Sequence, residues 1–157
     1  MPLMEARTTH EVSRVIAADP ATLYRMVSDV TRHGEWSPEC RGARWTGGAT
    51  GPVPGARFRG RNRWNRVAWS RTCVVEVAEP GERFVFSTVP ERLTRDSTRW
   101  AYTFETVPGG TRVTESYEIL IPVPAWVQTA VISRVLPHHM DMRPHMEATL
   151  AAIAAAV

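Results

Sequence analysis

The chain has 157 residues, 43% of them hydrophobic and 22% charged, which suits one folded domain with its own core and argues against disorder. All 19 basic residues are arginine, yet the formal net charge is only +3, so nucleic acid is not expected as a partner. No apolar run approaches the roughly 18 residues that cross a bilayer, and the N-terminus lacks a secretory pattern. We therefore expect a single domain over residues 1–157, cytoplasmic and without integral membrane association.

The chain begins with a predicted strand that leads into helices. Residues 10–18 mix β-branched and polar side chains and stop at Asp19-Pro20, a helix-start signal because Asp caps a helix and Pro suits its first turn. The apolar residues of the following helix recur at helical spacing: Leu23, Met26, Val27 and Val30. Asp29 is placed to cap a second short helix ending near Gly34. The segment 29–40 then brings Trp36 to a position that we interpret as the wall of a small-molecule cavity.

Alternation of apolar and polar residues dominates from about 41 to 120, which is typical of strands. Turn residues interrupt it at 47–48, 51–52, 80–81, 90 and 109–110. These breaks separate six predicted strands near 41–46, 56–64, 67–78, 83–88, 97–107 and 111–121. Because the connections are short, the pattern favours an antiparallel meander over parallel strand–helix–strand units.

The alternation ends after residue 124, and an Ala-, Val-, Leu- and Met-rich segment predicts a long C-terminal helix. One stripe of that helix is formed by residues spaced three or four apart: Met142, Met146, Leu150, Ile153 and Val157. Pro137 and Pro144 are expected to break or kink its first part. The order of strand, two helices, six strands and long helix suggests a curved sheet that grips the last helix and leaves a hollow between them.

Four segments carry a resemblance to a known family: IAADPATLYRMVSDVTRHGEWSPEC, GARFRGRNR at 55–63, EPGERFVF at 79–86 and GGTRVTESYEI at 109–119. Over nearly its whole length the chain resembles the START-like superfamily, also called SRPBCC, helix-grip or Bet v 1-like, and within it the polyketide cyclase/dehydrase-like branch. The resemblance implies an α+β helix-grip fold. In that fold a curved seven-stranded antiparallel sheet wraps around a long C-terminal helix, and two short helices follow strand 1. It also implies one START-like ligand-binding domain whose cavity holds a lipid, sterol-like molecule or polyketide.

Period-two alternation assigns faces to the predicted strands. Arg57, Arg59, Arg61 and Arg63 share one face, which we expect outside, in solvent or against an anionic partner or membrane headgroup. Phe58, Asn62 and Trp64 share the opposite, inner face, where a buried Asn62 needs a hydrogen-bond partner or a ligand.

The next strand places Arg71 among apolar neighbours, on the face that it shares with Trp69 and Cys73. An unpaired buried charge is costly, so Arg71 either pairs with a carboxylate, turns outward at a bulge, or meets an anionic ligand group.

Two later strands present rows of inward residues, Trp100 and Tyr102 on one, Glu115 and Tyr117 on the other. A carboxylate among aromatics has a raised pKa and suits acid or base work, which makes Glu115 the one weak catalytic candidate. The alternatives are an ion pair with Arg71 or exposure near a strand end. Core packing explains the aromatic residues as well as a cavity wall does.

The histidine-rich segment does not predict a metal site. His138, His139 and His145, with Asp141 and Glu147, resemble ligands, but Pro144 interrupts the helix that would align them. The cysteines, Cys40 and Cys73, are too few and too far apart for a disulfide framework or a metal motif, so we expect both to be reduced. No phosphate loop or Ser-His-Asp pattern is present, and we expect no cofactor.

The leading hypothesis is a protein that binds or transports a hydrophobic or amphipathic small molecule. The predicted ligand-binding residues are Trp36, Phe58, Asn62, Trp64, Trp69, Arg71, Trp100, Tyr102, Glu115, Tyr117, Met142 and Met146. The competing hypothesis is a polyketide cyclase, aromatase or dehydratase that folds its substrate and moves a proton through Glu115 or a tyrosine. A third is a regulatory partner that binds through the arginine face with strong salt dependence. The sequence is also compatible with a homodimer.

Overall fold

A computed structural model describes residues 9–157, in which seven strands form one antiparallel sheet. The strands are β1 Thr9–Ile16, β2 Cys40–Thr46, β3 Arg57–Trp64, β4 Val67–Glu79, β5 Arg83–Thr88, β6 Ser97–Val107 and β7 Gly110–Ile121. Their order across the sheet is β1-β7-β6-β5-β4-β3-β2. Each pairing joins strands that are consecutive in sequence, except for the pairing of β1 with β7. The predicted α+β helix-grip fold, with its curved seven-stranded sheet, is confirmed.

The first helix, α1 Pro20–Ser28, begins where the sequence predicts. The Asp19 carboxylate accepts a hydrogen bond from the backbone N–H of Thr22 at 2.9 Å, and Pro20 occupies the first turn. The apolar face of the helix is buried against the sheet, with Leu23 fully enclosed. This helix therefore covers one end of the sheet's inner face.

The second helix, α2 His33–Trp36, is a single turn that runs past the end predicted for it. Asp29 caps a preceding 3-10 turn, Val30–Arg32, and α2 continues through Gly34 to Trp36. A Cβ atom at Gly34 would lie 2.8 Å from the carbonyl oxygen of Arg41, so the missing side chain lets α2 press against the bulged start of β2. This close approach fixes where Trp36 enters the interior.

The long C-terminal helix predicted from the sequence is shorter than expected and is preceded by several turns. Helix α3 Ala125–Val127, a π-helical turn Gln128–Ile132 and helix α4 Ser133–Val135 follow one another directly. A 3-10 turn, Pro137–Met140, comes next, and α5 Arg143–Ala155 carries Pro144 in its first turn. We call residues 125–140 the lid segment. No helix of the described residues is long and apolar enough to span a membrane.

The stripe predicted on the last helix is buried, with one exception. Met142, Met146, Leu150 and Ile153 are each at most 9% exposed, and α5 packs against α2, β1 and β7. Val157 is half exposed because the helix ends at Ala155, so its inclusion in the stripe was wrong. Helix α5 is thus held over the inner face of the sheet by apolar burial.

Candidate functional site

A cavity of about 940 Å³ lies between the inner face of the sheet and the helices. Strands β2 to β7 form its wall, α2 and α5 close two sides, and the lid segment covers it. The lid contributes residues spaced three or four apart, as one face of a helix does: Ala125, Gln128, Ile132, Leu136 and His139. Its other face leaves Trp126 71% exposed.

Most of the residues predicted to bind ligand line this cavity. These residues are Trp36, Phe58, Asn62, Trp69, Arg71, Trp100, Tyr102, Glu115, Tyr117, Met142 and Met146. The inward direction of the strand side chains follows from period two, and that of Met142 and Met146 follows from helical spacing. That they contact a ligand stays a prediction.

Trp64 is the exception, and its assignment to the cavity wall needs correction. Its ring packs on His138 and His145, with ring centroids 4.4 and 4.8 Å away. Trp64 lies on the inner face as predicted, but it is the last residue of β3 and falls beyond the cavity. Alternation fixes the face of a strand on which a side chain lies, not how far a cavity extends along that strand.

Glu115 lies in the cavity wall and is only 3% exposed. The Tyr102 hydroxyl donates to its Oε1 at 2.8 Å, while Oε2 has no hydrogen-bond partner among residues 9–157. Burial raises the pKa of Glu115 to about 8, against the smaller opposing effect of the Tyr102 hydrogen bond. Burial, together with the neighbouring carboxyl, also raises the pKa of Tyr102. At neutral pH Glu115 is therefore mostly a neutral acid.

Aromatic rings form much of the remaining wall. Trp100 stacks on Tyr117 with centroids 5.2 Å apart, and Phe58 meets Phe86 edge to face at 5.2 Å. His33 packs beside both phenylalanines and donates from Nε2 to the backbone carbonyl of Val27 at 2.8 Å. Burial lowers the pKa of His33, so its ring is neutral and apolar in character.

Arg71 forms a second polar cluster in the wall and is paired with protein carboxylates. Its Nη1 donates to Asp96 Oδ2 at 2.9 Å, and its Nη2 donates to the Asp96 carbonyl at 2.8 Å. Glu91 lies 3.7 Å from Nε, and the Arg71 side chain is 11% exposed. Of the alternatives raised by the sequence, the structure has the ion pair, and Asp96 rather than Glu115 is its partner.

A third polar cluster joins the start of β2 to the lid segment. Glu39 Oε2 lies 2.6 Å from Nε2 of His138 and 3.0 Å from Nε2 of His139. Burial opposes ionisation of Glu39, but hydrogen bonds from the two histidines bring the pKa of Glu39 below its usual value. His138 also stacks on His145 with ring centroids 4.3 Å apart. We call Glu39, His138 and His139 the lid clasp.

Sequence reasoning missed the carboxylate of this cluster. Asp141 and Glu147 were the acidic residues considered, but Asp141 pairs with Arg143 at 2.9 Å, and Glu147 is exposed. Glu39 comes from the other end of the chain, and no local pattern connects it to the histidines. His33, Phe86 and Asp96 also line the cavity unpredicted. The lining residues of the lid segment were missed as well, and their helical spacing was the one signal that could have identified them.

Comparison with protein families gives one match that covers most of the chain. The model of the family described as "Polyketide cyclase / dehydrase and lipid transport" matches residues 7–157. A comparison with curated proteins found no match.

Solved structures resemble the whole chain. A Polyketide_cyc-like protein from Corynebacterium glutamicum is 34% identical, with 98% of this chain and 86% of that chain covered and a TM-score of 0.52. A Thermus thermophilus protein is 17% identical, with 94% and 95% covered and a TM-score of 0.69. Ara h 8.0201 is 13% identical, with 96% and 97% covered and a TM-score of 0.67. At such low identity the last two support the fold alone.

Proposed function

Because the chain belongs to the polyketide cyclase/dehydrase and lipid transport family, within the SRPBCC (Bet v 1-like) superfamily, we propose that it binds or transports a hydrophobic small molecule. The ligand class is lipid- or polyketide-like, and the ligand occupies the cavity beneath the lid segment. The observation that carries this proposal is the cavity itself, whose volume of about 940 Å³ falls at the upper end of the range for small-molecule sites.

The lining supports an amphipathic ligand with a large apolar part. Trp36, Phe58, Trp100 and Met146 supply apolar and aromatic surface, whose burial against a ligand drives binding. Polar side chains of the wall, among them Asn62, Arg71 and Glu115, can orient the polar end of such a ligand. Glu115 is best placed among them to hydrogen-bond a ligand carbonyl or hydroxyl, because its Oε2 has no partner within the described chain.

A cavity-filling variant provides the sharpest test. Gly60 lines the cavity, and a Cβ atom built on it meets nothing within 4 Å, so Gly60→Phe directs an aromatic ring into the binding space. Ala68→Phe adds a similar ring at an exposed position on the neighbouring strand β4 and is the matched control. We expect Gly60→Phe to lose binding of a polarity-sensitive dye and to show no lipid adducts in native mass spectrometry. Ala68→Phe should retain both.

Two results would contradict cavity binding. The first is equal dye and lipid binding by both variants, which would place the ligand outside the cavity. The second is absence of binding by the unmodified protein across a screen of lipids and polyketides. Circular dichroism and thermal denaturation of each variant establish that a loss of binding is not a loss of folding.

The buried acid favours a second candidate function, the cyclisation or dehydration of a polyketide. Glu115 and Tyr102 form a hydrogen-bonded pair in the cavity wall, and burial raises the pKa of Glu115 to about 8, close to the pH at which a general acid or base works best. In this case Glu115→Gln abolishes turnover of a poly-β-ketone while the dye still binds. Equal turnover by the variant removes Glu115 from any mechanism and leaves the binding function.

A further inference from the structure

The lid clasp brings together three side chains whose donor atoms suit a metal ion. One carboxylate oxygen of Glu39 and one ring nitrogen each from His138 and His139 lie within 4.8 Å of one another. Zinc–ligand bonds of about 2.0–2.2 Å place the ligand atoms of a tetrahedral site about 3.3–3.5 Å apart. The separations of 2.6 and 3.0 Å around Glu39 need to widen by about 0.3–0.9 Å to admit an ion, a shift that side-chain rotation can supply.

We propose that the lid clasp is a binding site for a divalent transition-metal ion of the zinc class, with Glu39, His138 and His139 as its three protein ligands. Two imidazoles and one carboxylate are a donor set that such ions accept, and three protein ligands leave a position open. Glu39 and His139 both line the cavity, so the open position adjoins the space in which a ligand would lie.

The backbone around the clasp holds the donor atoms in place without help from an ion. The Glu39 carbonyl accepts a hydrogen bond from the N–H of Arg63 at 3.0 Å, and the Ser37 hydroxyl accepts from the N–H of Cys40 at 3.0 Å. On the other side, the N–H of His139 donates to the Leu136 carbonyl at 2.9 Å inside the 3-10 turn. The two halves of the site are therefore positioned before binding, which lowers the entropy cost of ligation.

Packing around the clasp limits access of water and fixes the ring orientations. The side chains of His138 and Glu39 are 9% and 13% exposed. Trp64 covers the His138 ring, and Trp69 meets His139 edge to face at 5.7 Å. Nδ1 of His138 has no hydrogen-bond partner among the described residues, and ligating histidines normally donate from that second nitrogen. We therefore expect a dissociation constant in the micromolar range, which is weaker binding than that of structural zinc sites.

The test uses the full chain and metal alone, without an organic ligand, so it is independent of the proposed function. Titration of the purified protein with Co²⁺ should produce visible d–d absorption that saturates at one ion per chain, and Zn²⁺ should displace it. Glu39→Gln and His139→Gln should each weaken binding by about 100-fold or more, since ligand loss costs at least as much as loss of an outer hydrogen-bond partner. His10→Gln, at a histidine outside the clasp, should leave binding unchanged.

A measurement on the unmodified protein locates the ion even if a variant fails to fold. In a ¹H–¹⁵N correlation spectrum, paramagnetic Co²⁺ should first shift or broaden signals of residues 37–41 and 136–141. The proposal is overturned if no stoichiometric binding occurs, if the perturbed signals lie elsewhere, or if folded Glu39→Gln binds Co²⁺ as tightly as the unmodified protein does. In any of these cases the clasp is a hydrogen-bonded contact only, and the cavity-binding proposal is unaffected.

Discussion

Replacing Glu115 by Gln should make the protein more stable at neutral pH, although it removes a hydrogen-bonded carboxyl group. Gln is close to Glu in shape, and its side-chain oxygen accepts from the Tyr102 hydroxyl as Glu115 Oε1 does at 2.8 Å. What the substitution removes is ionisation. Burial raises the pKa of Glu115 from 4.5 to about 8, so the folded protein retains a proton that the unfolded chain releases.

The direction and size of the effect follow from proton linkage. Below about pH 4.5 both states of the chain are protonated and Glu115 costs nothing. Between 4.5 and about 8 the unfolded state is increasingly favoured, and above about 8 the full cost is reached. At 1.36 kcal/mol per pKa unit the full cost is about 5 kcal/mol, and the cost at pH 7 is about 3 kcal/mol.

Urea denaturation at pH 4, 7 and 8.5 measures this cost directly. The free energy of unfolding of Glu115→Gln minus that of the unmodified protein should grow by about 3 kcal/mol from pH 4 to pH 7 and further by pH 8.5. Glu105→Gln, at an exposed carboxylate that pairs with Arg112, is the control and should show a change below about 1 kcal/mol. A difference that stays constant with pH would refute the raised pKa and, with it, the acid–base role of Glu115.

Three further predictions concern other parts of the molecule. Gly34→Ala should cost about 1–3 kcal/mol because its Cβ would press on a backbone carbonyl of β2, whereas Gly51→Ala, with open space around its Cβ, should be near neutral by thermal denaturation. Arg71→Met should cost about 1–3 kcal/mol by leaving Asp96 unpaired. Asp96→Asn should lower the free energy of unfolding less in the Arg71→Met background than it does alone. Additive losses would argue against coupling of the two residues. Burial raises the pKa of Cys73 to about 12, so iodoacetamide at pH 8 should modify it only in urea, as read by mass spectrometry; rapid labelling of the folded chain would contradict this.

The sheet could be predicted from the sequence because its signals are local. Alternation and turn residues gave all seven strands to within two residues, and Asp19-Pro20 gave the start of α1. The same alternation directed Phe58, Tyr102 and Glu115 inward, where they line the cavity. These assignments depend on period two and on capping, which need no knowledge of distant parts of the chain.

The parts that sequence reasoning missed depend on contacts between distant segments. Glu39 and His138 meet across most of the chain, so no spacing rule relates them. The lid was expected to be the first part of one long helix that Pro137 and Pro144 break or kink. The structure instead divides it into separate short turns, and Pro144 lies in the first turn of α5. Arg71 was correctly expected to need a partner, but Asp96 was not among those considered because it lies just before β6, outside the predicted strands.

The pairing of β1 with β7, which are far apart in sequence, has a consequence for folding. Strands β2 to β7 follow one another in the chain through short connections, so each can pair with its neighbour locally. Pairing of β1 with β7 instead brings Ile16 to Thr111 and Thr9 to Glu118, residues separated by nearly the whole meander. Loop-closure entropy delays such a pairing, and α5 packs on β1, so we expect the two chain ends to join the sheet last. Until then the concave apolar face of the sheet is exposed. An apolar ligand that is present during refolding therefore reaches this face more easily than it reaches the closed cavity of the native state.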